Sequence, residues 1–163
     1  LDAKIAIEAE GIEVEIVSSG ETFSHDVACE MEGVTEVEGG TYALMGTIYG
    51  FMEKFAISNK VLCTVVSKPN ENTVIGDIGF RGLSWMKDKL PSIEGYNDIR
   101  VKNLLEDHIV LESDTNMPLE VGDQFVVLPY YQDIMINRWD NFIVVRNNVV
   151  EDVWDIPGRG GFH

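Results

Sequence analysis

Two apolar, β-branched runs stand close together near the end of the chain, and their spacing constrains the fold more than any other feature. They occupy residues 142–146 and 149–154 and are separated by Asn147-Asn148. Asparagine tolerates the positive φ that a two-residue hairpin turn requires. The pattern therefore predicts an antiparallel β-hairpin, preceded by a strand over 124–128 and a polar loop.

The chain upstream of this hairpin, from residue 61, is rich in short apolar runs with turn signals between them. A short helix is predicted before Pro91, because the residue before a proline is disfavoured in a helix. Repeated short strands at this spacing indicate a β-barrel or sandwich-like domain over residues 61–163. The further strands are predicted at 61–67, 73–78 and 108–112, and the helix at 84–90.

Residues 1–60 have a different texture, in which helical and extended segments alternate. A helix over 1–10 is expected to end at Gly11, since glycine readily adopts the left-handed conformation that closes a helix. The order strand, turn, helix, strand predicts parallel βα units. The strands are expected at 12–16 and 34–37, the second helix at 24–31, and a further extended run at 42–45.

The charge of the chain excludes some classes of partner. Twelve basic residues stand against 28 acidic ones, giving a net charge of −16, and residues 1–60 alone hold twelve acids and three bases. Such a surface repels nucleic-acid phosphates. No apolar run approaches the roughly 20 residues that a membrane span needs. Cys29 and Cys63 lack metal-binding spacing, which is typical of reduced thiols in a cytoplasmic protein. The start at Leu1 indicates a fragment, a processed chain or a trimmed one.

The polar loop before the hairpin carries a motif. Pro129, Asp133 and Asn137 resemble the Pro-x-His-x-Asp/Cys-x-x-x-Asn segment of the D-threonine aldolase and D-serine dehydratase family, with Tyr131 at the His position. These enzymes use pyridoxal phosphate on a fold-type III, alanine-racemase-like barrel. Residues 153–160 are similar to the C-terminal end of the family.

The resemblance extends over nearly the whole chain and implies a fold class. It implies an α+β protein in which residues 1–60 are the last βα units of a TIM-type, pyridoxal-phosphate-binding barrel. Residues 61–163 would then be the β-rich, D-serine dehydratase-like domain. The chain is thus expected to match the C-terminal portion of the family.

Two glycine-containing loops resemble the family's loops after the last barrel strands. Residues 17–24 are similar to its Ser-Gly-Gly-Gly-Thr loop and residues 35–42 to its Thr-Glu-x-x-x-Gly-Ser/Thr/Asn-Tyr stretch. Glycine-rich turns expose backbone N–H groups that favour a phosphate dianion, although such turns also occur for purely structural reasons. Glu21 adds an unfavourable negative charge. The resemblance assigns the cofactor phosphate to Gly20, Thr22, Gly40, Thr41 and Tyr42.

The motif loop also raises the question of a metal and of a catalytic residue. In the family, the His and the Asp or Cys coordinate a divalent metal, so Asp133 is the expected ligand for Mn²⁺, Mg²⁺ or Zn²⁺. A neutral phenol is a poor ligand, and with Tyr131 in place of the His we expect weak or no metal binding. Tyr131 is instead a candidate proton donor; simple packing on Met135 is the alternative. His25, His108 and His163 offer no replacement at local spacing.

The resemblance implies a lyase that acts on a D-configured β-hydroxy amino acid, by retro-aldol cleavage or β-elimination. Asp133 rather than Cys favours the aldolase branch. No lysine here matches the family's cofactor-binding lysine, which lies on the first barrel strand. We therefore expect a partner, either the N-terminal barrel segment or another chain that supplies it, and a homodimer. The alternatives are a metal-independent racemase-like enzyme and a non-catalytic, partner-binding β-module.

Overall fold

A computed structural model describes residues 1–161; residues 162 and 163, and with them His163, lie outside the described part. Residues 1–60 hold two helices and two 3₁₀ turns, and the strands begin at Val61. In chain order the elements are α1 (Asp2–Ala9), α2 (His25–Glu30), 3₁₀ turns at Thr41–Ala43 and Thr47–Tyr49, β1 (Val61–Asn70), β2 (Thr73–Gly76), β3 (Ser92–Ile93), β4 (Ile99–Leu104), β5 (Ile109–Ser113), β6 (Gln124–Leu128), α3 (Gln132–Ile136), β7 (Asn141–Arg146) and β8 (Val149–Asp155).

Strands β1 to β6 form one antiparallel sheet in the order β3-β6-β1-β2-β5-β4. Its two end strands, β3 and β4, contact each other, so the sheet curls into a nearly closed barrel. Alternate side chains of β5 point inward, and Ile109 and Leu111 have no exposed surface. This is the period-two burial that an antiparallel sheet with one solvated face requires.

The hydrophobic core lies inside this barrel. Every residue of the main buried cluster falls between Val61 and Met135, and none belongs to residues 1–60. Phe125 fills space beside Gly76, where an added Cβ would stand 2.4 Å from the Phe125 ring. The barrel therefore encloses its apolar side chains with little void.

Strands β7 and β8 form the predicted hairpin. Asn147 and Asn148 have φ values of 50° and 61°, and Arg146 pairs with Val149 across the turn. The hairpin makes a two-stranded sheet of its own, separate from the barrel. Such ribbons are marginally stable alone, and both faces of this one carry exposed apolar side chains such as Ile143 and Trp154.

The expected parallel strands at 12–16 and 34–37 are wrong as regular strands. The two segments meet at one parallel bridge, between Ser18 and Glu36, and at short backbone bonds around Val17. Ile12 and Ile16 are 60% and 62% exposed rather than buried. A parallel strand is stable when neighbours and helices cover it, and within residues 1–161 these segments have only each other.

Two other local predictions are wrong. The run at 42–45 is a 3₁₀ turn followed by a left-handed residue, Met45 at φ 58°. Residues 84–90 form a tight turn closed by a bridge between Met86 and Lys89, with Asp88 at φ 60°. In both cases apolar content was mistaken for a secondary-structure type that tertiary contacts override. Helix α3, within the polar loop, and the strands β3 and β4 were not predicted.

No helix within residues 1–161 is long and apolar enough to span a membrane.

Candidate functional site

The two glycine-containing loops lie side by side. Thr22 is buried, and its Oγ1 accepts a hydrogen bond from the backbone N–H of Tyr42 at 3.1 Å. Gly39 packs on the same threonine, with a built Cβ 3.5 Å from Thr22 Oγ1. The hydroxyl of Thr22 therefore fastens one loop to the other, a role that the sequence did not indicate.

The glycines in these loops have different physical roles. Gly20 has φ +87°, and a Cβ there would lie 2.6 Å from the Cβ of Ala28, so the backbone and the packing of α2 require a glycine. A Cβ at Gly40 would meet nothing within 4 Å. In the part of the chain that the structure describes, the N–H groups of Gly20, Thr22, Gly40 and Thr41 donate to no protein acceptor. Those donors are free to bind an anion.

A pocket of about 270 Å³ opens where the loops meet. His25, which sequence reasoning set aside, lies in its wall and contacts the carbonyl oxygen of Thr22 through Nδ1 at 2.6 Å. Its ring packs edge-on against Phe55, which also contacts Tyr42. The lining residues are Thr22, His25, Val37, Gly39, Tyr42 and Phe55. Only the position of His25 three residues after Thr22, beside the first loop, signals this role.

The motif residues lie at the start of α3. Tyr131 is the residue that precedes the helix, and Asp133 is in its first turn. The Asp133 carboxylate, chiefly as a hydrogen-bond acceptor and then through its charge, raises the pKa of Tyr131 above the ordinary tyrosine value. Partial burial and the nearby Tyr49 and Glu21 raise the same pKa further. The Tyr131 phenol therefore stays protonated to a higher pH than an ordinary tyrosine.

Two backbone hydrogen bonds join the motif loop to the segment after the second glycine loop. The N–H of Thr47 donates to the Pro129 carbonyl at 2.9 Å, and that of Ile48 to the Tyr130 carbonyl at 3.1 Å. These bonds place the motif loop beside the segment that follows the second glycine loop, which Thr22 joins to the first. The phosphate, catalytic and metal roles assigned to residues of these loops stay predictions.

The donor set at the motif does not fit a divalent metal. Asp133 supplies one carboxylate, and its neighbour Tyr131 is a protonated phenol with a raised pKa. No cluster of three or more His, Cys, Asp or Glu side chains suited to a metal occurs within residues 1–161. His108 is exposed and lies beyond β4, whereas His25 belongs to the pocket.

The sequence matches a family model described as a putative serine dehydratase domain over residues 58–145. The chain belongs to this family. The matched range contains the whole barrel, α3 and most of β7, so the resemblance stated above is confirmed.

Curated relatives agree with this assignment. The chain is 32% identical to D-threonine aldolase from Arthrobacter sp. over 92% of its own length and 41% of the relative. It is 29% identical to 3-hydroxy-D-aspartate aldolase from Paracoccus denitrificans over 98% of its length and 43% of the relative. The chain thus spans about two fifths of the relatives it matches, and both relatives are named as aldolases.

Solved structures confirm the fold. D-threonine aldolase from Filomicrobium marinum superposes with a TM-score of 0.91 at 23% identity, over 98% of this chain and 45% of that one. An alanine-racemase-like protein from Idiomarina loihiensis gives a TM-score of 0.82 at 20% identity, over 94% and 46% of the two chains. D-threo-3-hydroxyaspartate dehydratase from Delftia sp. gives 0.80 at 19% identity, over 94% and 47%. The expected fold class is confirmed.

Proposed function

We propose that this chain forms part of a pyridoxal-phosphate-dependent lyase that acts on a D-β-hydroxy amino acid. The observation that carries the proposal is that two backbone hydrogen bonds hold the motif loop beside the segment that follows the paired glycine loops. Relatives named as aldolases of D-threonine and 3-hydroxy-D-aspartate support this class of substrate. The division into a remnant of the family's βα barrel at 1–60 and a β-rich domain from 61 is part of the proposal.

The chain's contribution to cofactor binding is a phosphate site. The free N–H groups of Gly20, Gly40 and Thr41 suit a dianion, and Thr22 holds the two loops at a fixed spacing. The exposed Tyr42 ring stands at the edge of the same pocket. Pyridoxal phosphate, when bound, withdraws electrons from the α-carbon of the amino acid and so makes its bonds easier to break.

The Tyr131–Asp133 pair acts on the β-hydroxyl group in this proposal. The single hydroxyl proton of Tyr131 is directed at Asp133, so the phenol oxygen accepts a hydrogen bond from the substrate hydroxyl. Because the donor set does not fit a divalent metal, we derive no step through one. In retro-aldol cleavage the β-hydroxyl proton must leave, and Tyr131 can receive it as its own proton passes to Asp133.

β-Elimination is a second candidate, and one observation favours it. The family model that the chain matches is described as a putative serine dehydratase domain. A hydroxyl leaves as water when it receives a proton, and a phenol carries a proton at neutral pH. The Tyr131–Asp133 pair therefore serves a dehydration of the substrate from the same position in the site.

The exposed apolar segments of residues 1–60 suggest how the rest of the enzyme is supplied. Ile12 and Ile16, with Val27 and Met31 of the α2 region, expose 47–63% of their surface. We propose that the other strands of the family's βα barrel, carried by the N-terminal segment or by another chain, pair beside residues 12–17 and cover these side chains. A homodimer of the complete enzyme is part of the same proposal.

A complementation assay tests the proposed function. The chain is co-expressed with the portion of Arthrobacter D-threonine aldolase that it does not cover, and the purified complex is given D-threonine and pyridoxal phosphate. Glycine with acetaldehyde reports retro-aldol cleavage; 2-oxobutyrate with ammonia reports elimination. We expect Tyr131→Phe to lower kcat by about 10²-fold, and Tyr96→Phe, a core-packed tyrosine, to leave it unchanged. An unaltered kcat in Tyr131→Phe contradicts the catalytic role. A stable complex that forms neither pair of products contradicts the lyase assignment.

A further inference from the structure

Gln132, the residue between Tyr131 and Asp133, is the most deeply buried polar side chain of the motif. Only 1% of its surface is exposed. Its Nε2 donates a hydrogen bond to Asp133 Oδ1 at 3.2 Å, whereas its Oε1 is buried without a partner in the described part of the chain. A carboxylate accepts hydrogen bonds and cannot donate them, so the amide must turn its NH₂ group toward Asp133.

The unpartnered oxygen points at Gly46. A Cβ on Gly46 would lie 2.7 Å from Gln132 Oε1 and 2.8 Å from the Tyr130 carbonyl oxygen. Only a residue without a side chain leaves room for the amide. The residue before it, Met45, is buried and has φ 58°, a conformation that is rare for methionine and that marks local strain.

These contacts place Gln132 between two of the site's segments. On one side it meets the backbone that follows the second glycine loop, which is fixed by the Thr47–Pro129 and Ile48–Tyr130 hydrogen bonds. On the other side it holds Asp133, whose side chain is otherwise exposed. A solvent-exposed aspartate normally samples several rotamers, and this hydrogen bond selects one.

We propose that Gln132 is a positioning residue, which fixes the Asp133 carboxylate relative to the glycine loops through its contact with Gly46. The role of Asp133 rests on the proposed function, but the positioning itself does not. A buried acceptor without a partner costs stability. Its presence at this motif is explained if the amide is needed to orient the carboxylate rather than to stabilise the fold.

A positioning role and a purely structural role of Gln132 predict opposite results for the variant Gln132→Met. Methionine has a similar shape and removes the unpartnered oxygen, so positioning predicts an unfolding free energy that does not fall. It also predicts that Asp133 loses its single rotamer, seen as averaged three-bond Hα–Hβ couplings by NMR. A structural role predicts loss of stability with unchanged couplings. Asp26, in the first turn of α2 and far from Gln132 in sequence, is the internal control and keeps its couplings.

Two further variants keep the proposal testable if Gln132→Met does not fold. Asp133→Ala changes an exposed side chain, and the Gln132 Nε protons should then exchange with water about tenfold faster, the equivalent of one charge-assisted hydrogen bond. Gly46→Ala should displace the amide and average the Asp133 couplings in the same way. Unchanged amide exchange in Asp133→Ala, or a wild-type Asp133 that already samples several rotamers, overturns the proposal. Intact positioning in a complex without lyase activity would count against the proposed function alone.

Discussion

The barrel of residues 61–128 and the segment of residues 1–60 contain similar amounts of apolar sequence but place it differently. Barrel side chains such as Val74 and Val127 have no exposed surface, whereas ten large apolar side chains of the first sixty residues are exposed. Antiparallel strands that follow one another find partners locally. Parallel strands depend on crossovers and on neighbours elsewhere. The barrel therefore buries its own apolar side chains, whereas the first sixty residues leave theirs uncovered, which is the surface that we propose a partner covers.

The candidate functional groups are also distributed over the two regions. The glycine loops and the pocket belong to residues 1–60, and the Tyr131–Asp133 pair stands immediately after the last barrel strand, β6. In our proposal the barrel thus positions one half of the site, and the first sixty residues hold the other. Ligand sites placed on loops above a rigid scaffold are common.

The largest expected difference between the regions is in thiol reactivity. Burial, with a further contribution from the charge of Asp77, raises the pKa of Cys63 to about 12, whereas Cys29 is exposed. A pKa three units above the ordinary value leaves about a thousandfold less of the thiolate, which is the reactive form. At mildly alkaline pH we expect a thiol reagent to label Cys29 quickly and Cys63 only on unfolding. Mass spectrometry of labelled peptides checks this; equal rates would contradict the closed barrel.

The next largest difference is expected when an apolar side chain is shortened in the barrel and in the first sixty residues. Leu111→Ala removes a fully buried side chain of β5 and should lower the unfolding free energy by about 2–5 kcal/mol. Ile16→Ala, which changes a side chain 62% exposed, should have an effect within about 0.5 kcal/mol. Urea denaturation of the chain measures both. A comparable loss in Ile16→Ala would show that the first sixty residues are packed without a partner.

A smaller effect is expected from the bond that joins the glycine loops. Thr22→Val leaves the N–H of Tyr42 without its acceptor and should cost about 1–3 kcal/mol. Thr64→Val, in the partly buried face of β1, is the matched control because its hydroxyl makes no protein hydrogen bond in the described part of the chain. We expect Thr22→Val alone to speed hydrogen exchange in both loops. Unchanged exchange would mean that the loops are held by other contacts.

The smallest effect concerns the ionisation of Tyr131. Its folded-state pKa is raised, so its contribution to stability is complete below the unfolded value of about 10 and is lost as the pH rises through the folded pKa. Asp133→Asn removes the charge and should move the pKa down toward the ordinary value. Titration of a fluorotyrosine at position 131 by ¹⁹F NMR measures the change. A pKa that rises or stays constant in Asp133→Asn would contradict the pairing.

Local sequence patterns predict some parts of this molecule and not others. The Asn147-Asn148 turn and strand β6 depend on adjacent residues, and both were predicted. The motif residues were singled out by a spacing within nine residues, and their roles stay predictions. The contact of Gln132 with Gly46 was not predicted, since it joins positions 86 residues apart and depends on an empty Cβ position. His25 was considered only as a replacement metal ligand, and its place in the pocket wall depends on its packing against the distant Phe55.

The most direct measurement of the central claim is a phosphate titration of the chain followed by ¹⁵N–¹H correlation NMR. We expect inorganic phosphate and pyridoxal phosphate each to shift the backbone N–H signals of Gly20, Thr22, Gly40 and Thr41. The N–H signals of β1 to β6 should not change. Thr22→Val should weaken the response. Shifts confined to the barrel, or no shifts at the four glycine-loop amides while the fold is intact, would contradict the claim that the first sixty residues carry the cofactor phosphate site.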